Sequence, residues 1–148
     1  MELKRSHRNH FPLAFLVVGI DRFQSTVGRL PPHQRSRVGA QILGQINDTI
    51  REIDLAAAEG PDRFHVCLPQ TDPDGARLVA ERLRERLPRV ASGIDFTVSV
   101  GLASFEGSGS APAFTGMLGE AYARLEHGQA LGGDRVVSSA VPMARGHG

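Results

Sequence analysis

The chain has 148 residues, 41% of them hydrophobic and 22% charged, with a formal net charge of +1. That length suffices for one domain with a full apolar core and is short for two. The near-neutral balance argues against a general nucleic-acid binder or a polybasic membrane-surface protein, and the lone Cys67 excludes an internal disulfide and fits a reducing compartment.

The opening MELKRSHRNH is locally basic. The apolar run after it, FPLAFLVVGI, holds only about ten residues, whereas a bilayer-crossing helix takes roughly 20, and it lacks a small-residue cleavage site. Neither membrane insertion nor a signal peptide is expected, and the expected setting is the cytoplasm. The run is continuous and rich in branched side chains, the pattern of a strand buried on both faces.

RLPPHQ then breaks the chain. From about 33 to 53, Val38, Ile42, Ile46, Ile50 and Ile53 recur at spacings of three and four, which predicts one face of a helix. DLAAAE and RFHVCLP predict two short strands around a Gly60–Pro61–Asp62 turn, with Pro acceptable at the second turn position. Cys67, inside the second of these, reads as a buried, inert thiol. In TDPDGARLVAERLRERL, Asp72 is the expected N-cap of a second helix, followed by Pro73 and Asp74. Ala76, Val79, Leu83 and Leu87 supply its apolar face.

IDFTVSVGLASF, residues 94–105, predicts a strand in which Phe96, Val98 and Val100 alternate against Thr97 and Ser99. GSGSAP reads as a flexible loop, AFTGMLGEAYARLEHG as a third, glycine-weakened helix, DRVVSS as a closing strand and ARGHG as a frayed tail. The order β-α-β-β-α-β-α-β is the ferredoxin-like, split βαβ arrangement of the α+β class. It implies a central, mainly antiparallel sheet flanked by helices, expected here on one face. The expected organisation is a basic segment over 1–10, one domain over 11–140 and a flexible tail over 141–148. This architecture hosts many functions, so the fold alone names none.

From about Phe11 to Val137 the chain resembles the GGDEF domain of bacterial diguanylate cyclases, which has a nucleotidyl-cyclase palm fold. PLAFLVVGIDRF, GPDRF, LPQTDPDGARLVAERLRERL, FTVSVGLASF and GGDRVV carry the resemblance, in that order. It implies a domain that condenses two GTP molecules into cyclic di-GMP, with two metal ions held by acids at the end of the first strand and at the hairpin tip. Metal ions there neutralise phosphate charge and activate the attacking hydroxyl, which needs carboxylates on both sides of the site.

Position by position, however, the family's residues are missing. The metal-binding Asp aligns with Gly19, while Asp21 survives at a position that is not the main ligand. The signature appears as Gly60-Pro61-Asp62-Arg63-Phe64. Asp62 keeps an acid, Pro61 removes a backbone N–H and fills space that glycine leaves open, and Arg63 puts a fixed positive charge where a carboxylate is expected. The guanine-bonding Asn and Asp align with Val27 and Ser36, and the phosphate-facing cations with Gln24, Gln129 and Gly133. The literal Gly-Gly-Asp of LGGDR, 131–135, follows a helix without a hairpin partner and is discounted. A vestigial, catalytically inactive active site is expected, with no catalytic residue, no metal and no required cofactor.

One family feature is retained. Arg51-Glu52-Ile53-Asp54 matches the Arg-x-x-Asp site at which many of these enzymes bind cyclic di-GMP as a stacked pair. An Arg fork suits the O6/N7 edge of guanine, and Asp accepts from its N1–H and amino group. The spacing is expected to put both residues on neighbouring surface positions, with Arg82 or Arg86 joining from the next helix. The same pair also fits an ordinary exposed ion pair, worth about 0.2–0.5 kcal/mol. RLRERLPR, 82–89, reads as a solvated helix face, and Glu59, Asp62 and Arg63 as a polar hairpin tip. His7, His10 and His147 fall in expected tails, and His33, His65 and His127 share no metal-ligand spacing.

Three functions therefore stay open: a cyclic di-GMP receptor in bacterial signalling, a nucleotide-independent interaction or dimerisation module, and, last, a residual cyclase. The expected partners are cyclic di-GMP and a second copy or a signalling protein, not nucleic acid.

Overall fold

A computed structural model describes residues 11–107 and 113–139. The basic N-terminal segment, most of the GSGSAP loop and the C-terminal tail, with His7, His10 and His147, lie outside the described residues.

The elements run β1 (Leu13–Ile20), α1 (Pro32–Thr49), β2 (Leu55–Ala58), β3 (Arg63–Pro69), α2 (Pro73–Arg86), β4 (Val98–Phe105), α3 (Phe114–Ala130) and β5 (Val136–Val137). Short 3-10 turns cover Phe23–Ser25, Val27–Arg29 and Leu87–Arg89. The sheet order is β2-β3-β1-β4-β5. β1 lies antiparallel to β3 and β4, β2 pairs antiparallel with β3, and only β5 adds in parallel, on β4. This is the ferredoxin-like α+β fold with one parallel edge strand.

Alternation along β1 explains how the layers assemble. Ala14, Leu16, Val18 and Ile20 pack with Val38, Ile42 and Ile46 of α1 and with Ala76, Ala80 and Leu83 of α2. Phe15 and Val17 point the other way, onto Met117, Ala121 and Leu125 of α3. Helices thus cover both faces, correcting the expectation of one. The physical reason is the unbroken apolarity of β1, which leaves two faces to bury, each large side chain gaining about 1.5–3 kcal/mol. At Gly101 of β4 an added Cβ would run into the Ala121 carbonyl, so glycine lets α3 seat against the sheet.

Local expectations are corrected at three further places. α1 ends at Thr49, and Ile53, assigned to its apolar face, stands outside the helix and exposed. β4 begins at Val98, so Thr97 precedes it, and Ser99 is fully buried because β4 is covered on both sides. Cys67 is only half-buried. The α2 start is as expected: the Asp72 carboxylate accepts from Gly75 N at 2.7 Å, with Pro73 in the first turn.

Candidate functional site

The end of β1 and the β2–β3 hairpin tip meet at Gly19. Register places Gly19 between Arg63 of β3 and Ser99 of β4. The half-buried Arg63 side chain folds back over it rather than projecting as part of a polar tip. A Cβ on Gly19 would lie 2.5 Å from Arg63 Nη1, 2.9 Å from Leu125 Cδ2 and 3.0 Å from Gln129 Nε2. Arg63 Nη1 donates to Gln129 Oε1 at 3.2 Å. The same amide donates through Nε2 to the Ile20 carbonyl at 3.4 Å and to Asp21 Oδ1 at 3.1 Å. Gln129, near the end of α3, thereby ties the helix to the two residues following Gly19.

Asp21 is 2% exposed, and structural donors surround it. Its Oδ2 accepts from Thr97 Oγ1 and from the Asp134 backbone N–H, both at 2.7 Å. With Gln129 on Oδ1, the carboxylate holds together β1, the approach to β4 and the turn before β5. Gly133 packs directly on it: an added Cβ there would lie 2.6 Å from Asp21 Cγ. The Gly-Gly-Asp of 131–135 is therefore part of this turn, and Asp134 pairs outward with Arg84 at 2.8 Å.

The hairpin turn needs glycine at Gly60, where φ is +86°. Pro61 follows, and the Asp62 carbonyl accepts from Ile20 N at 3.0 Å, closing the tip on β1. Asp62 borders a cavity of about 310 Å³, together with Arg22, Phe23, Gln24, Ser25 and Arg63. Val27 is buried in the core and Ser36 is exposed on α1, so neither faces that cavity. Arg63 forms no ion pair among the described residues.

Arg51 and Asp54 sit apart from this cavity, in the turn between α1 and β2, and they bind each other. Asp54 Oδ2 accepts from Arg51 N at 2.7 Å and Nε at 3.1 Å, and Oδ1 accepts from Nη2 at 2.8 Å. Side-chain exposure is 50% for Arg51 and 1% for Asp54, so the expectation of two neighbouring surface residues is corrected. The turn after α1 tucks the carboxylate under the guanidinium. Arg51 Nη2 also reaches the Pro69 carbonyl at 2.7 Å and Thr71 Oγ1. The hydrogen bond that Arg51 donates to Asp54 raises the Arg51 pKa above its ordinary value, burial opposes this and the Asp54 charge adds to it. Arg86 Nη1 reaches Thr49 Oγ1 at 3.4 Å, just before Arg51, and exposed Arg82 lies one helical turn earlier.

The diguanylate cyclase GGDEF domain family matches residues 1–129 of this chain. The chain belongs to that family. A curated relative, the uncharacterized protein YhcK of Bacillus subtilis, is 30% identical over 109 residues, which is 70% of this chain and 30% of YhcK. Diguanylate cyclase DgcP of Pseudomonas aeruginosa is 29% identical over 112 residues, 72% of this chain and 17% of DgcP. The chain thus spans under a third of either relative's length. Among solved structures, the active GGEEF domain of a Vibrio cholerae diguanylate cyclase superposes with a TM-score of 0.82 at 16% identity, covering 94% of this chain and 90% of that one. The GGDEF domain of Caulobacter crescentus DgcB, solved with c-di-GMP, gives 0.77 at 19% identity, covering 93% and 85%.

Within this GGDEF domain, several residues at the site carry no sequence signal. Thr97 and Thr71 are reached only through tertiary packing, and Arg22, at φ +47°, reaches the Gly132 carbonyl at 3.2 Å across the domain. Arg22 is the exception in one respect: its left-handed backbone follows the end of β1, where a chain reversal is expected. Among the described residues no three His, Cys, Asp or Glu side chains converge as a metal set, and no helix is long and apolar enough to cross a membrane.

Proposed function

We propose that this GGDEF domain has no cyclase activity and acts as a cyclic di-GMP receptor through Arg51 and Asp54. The observation carrying the first half is the Arg63 guanidinium lying against Gly19. The residues present do not fit the family's metal pair: Gly19 offers no side-chain ligand, Arg63 brings a positive charge, and Asp21 is already engaged by three donors. Asp62 alone remains on the cavity, and one carboxylate is a poor divalent-ion site without substrate help.

Support for the receptor half is the Arg-x-x-Asp pair, held beside Arg86 and opening to solvent at Arg51, in a family with members solved bound to c-di-GMP. Arg51, Asp54, Arg82 and Arg86 are the residues assigned to the ligand. Calorimetric titration of cyclic di-GMP into the parent and Arg51→Ala tests it, with micromolar or tighter binding expected in the parent alone. The second reading, a nucleotide-independent interaction or dimerisation module, draws on the burial of Asp54 beneath Arg51. A flat titration in both proteins decides for it. Cyclic di-GMP made from GTP with magnesium or manganese would overturn inactivity and revive the residual cyclase.

A further inference from the structure

Resting on the receptor reading above, we propose that the dinucleotide site is latched in the free domain: Arg51 must leave Asp54 and the turn between β3 and α2 before either residue can engage a guanine. Asp54 cannot present itself to a base while Arg51 is docked, because both its oxygens are held and its side chain is 1% exposed. Arg51 is equally committed. A two-point contact to guanine needs an edge of the guanidinium: the Nε–Nη2 edge lies on Asp54, and the Nη1–Nη2 edge is blocked at Nη2 by the Pro69 carbonyl and Thr71 Oγ1, which leaves Nη1 alone.

The latch reaches beyond the pair. Nη2 has two hydrogens and faces three acceptors, Asp54 Oδ1, the Pro69 carbonyl and Thr71 Oγ1. Thr71 Oγ1 donates in turn to the Pro69 carbonyl at 2.9 Å, closing a tight loop around Gln70. Gln70 sits at φ +51°, a conformation side chains other than glycine rarely adopt. The next residue, Asp72, is the N-cap of α2, the helix that carries Arg82 and Arg86. Moving Arg51 onto a ligand therefore removes the contacts that tie 69–71 to the α1–β2 turn and loosens the first turn of α2. Ligand capture at one surface is passed to a helix end through a single guanidinium.

Because capture competes with the latch, the observed affinity is the intrinsic one reduced by the unlatched fraction. Deleting a competing acceptor must tighten binding. Titrations of cyclic di-GMP into the parent, Thr71→Val, Thr71→Ala and Thr71→Ser test this, each protein checked to remain folded with a single cooperative thermal transition. Val and Ala are expected to bind about twofold to threefold more tightly, the lower end of one hydrogen bond's worth because the Nη2 hydrogens are shared among three acceptors, and Ser to match the parent. Hydrogen exchange is the second readout: ligand is expected to speed exchange at Gly75 N, which the Asp72 cap holds. Measurable parent binding with equal affinity in Val and Ala, and no exchange change, overturns the latch and leaves the receptor reading standing. No binding by any of the four proteins overturns the receptor reading and the latch together.

Discussion

Arg63 Nη1 occupies the space directly above Gly19, where a side chain at residue 19 would have to begin, 2.5 Å from the position of its Cβ. The two residues are partners in register on adjacent strands, so each constrains what the other can be. A guanidinium needs the missing side chain, and the missing side chain leaves the guanidinium a place to lie.

Gly19→Ala is therefore expected to lower stability by about 1–3 kcal/mol through overpacking. In an Arg63→Ala background the same change costs less, with coupling of at least about 0.5 kcal/mol in a double-mutant cycle read by urea unfolding. Additive effects would mean that Arg63 does not occupy the space. Gly19→Asp alone is expected to make no cyclic di-GMP from GTP, since the new carboxylate meets Arg63 first.

Asp21 is expected to act as a structural hub. Asp21→Ala leaves the Thr97 hydroxyl and the Asp134 N–H without their acceptor and the Gln129 amide with the Ile20 carbonyl alone, and should destabilise by about 2–4 kcal/mol. Thr97→Val removes one of these bonds and should cost about 1 kcal/mol. Urea midpoints measure both, and a neutral Asp21→Ala would show that the hub carries no stability.

Arg51→Lys separates charge from geometry. Lysine keeps the positive charge over buried Asp54 but cannot make the two-point contact to a guanine edge. Cyclic di-GMP binding is expected to weaken at least tenfold while stability falls by no more than about 1 kcal/mol, because the cation stays half in water. Equal affinity for parent and Lys variant in calorimetry would remove Arg51 from the site.

Cys67 supplies a pH dependence. Burial pushes its thiol pKa above the ordinary 9.0, and the Asp54 charge adds to the shift. As pH rises through the ordinary value, the unfolded chain loses the proton while the folded one keeps it. Stability is therefore intact below that pH and falls above it. Between pH 7 and about pH 10 the urea midpoint of the parent is expected to drop further than that of Cys67→Ser. The comparison cancels Tyr122, whose phenol burial also raises.

Element order was legible because its signals are local. The apolar spacing of Val38, Ile42 and Ile46 makes one helix face, Asp72 with Pro73 marks a helix start, and a glycine at the hairpin turn adopts the conformation glycine alone tolerates easily. The spacing of the retained Arg-x-x-Asp pair and the residues at the signature positions were equally open to inspection. What a side chain does once there was not. Whether Arg63 points into solvent or back over Gly19, whether Asp54 is offered or buried, and which donors close on Asp21 depend on residues up to 113 positions apart. Such contacts leave no periodicity along the chain: packing of α3 and the β5 turn against β1 creates those at Arg63 and Asp21, and the turn after α1 against residues 69–71 creates the one at Asp54. The sequence by itself determined the order of the elements and the charges at the site; tertiary packing alone decided which of those charges are free.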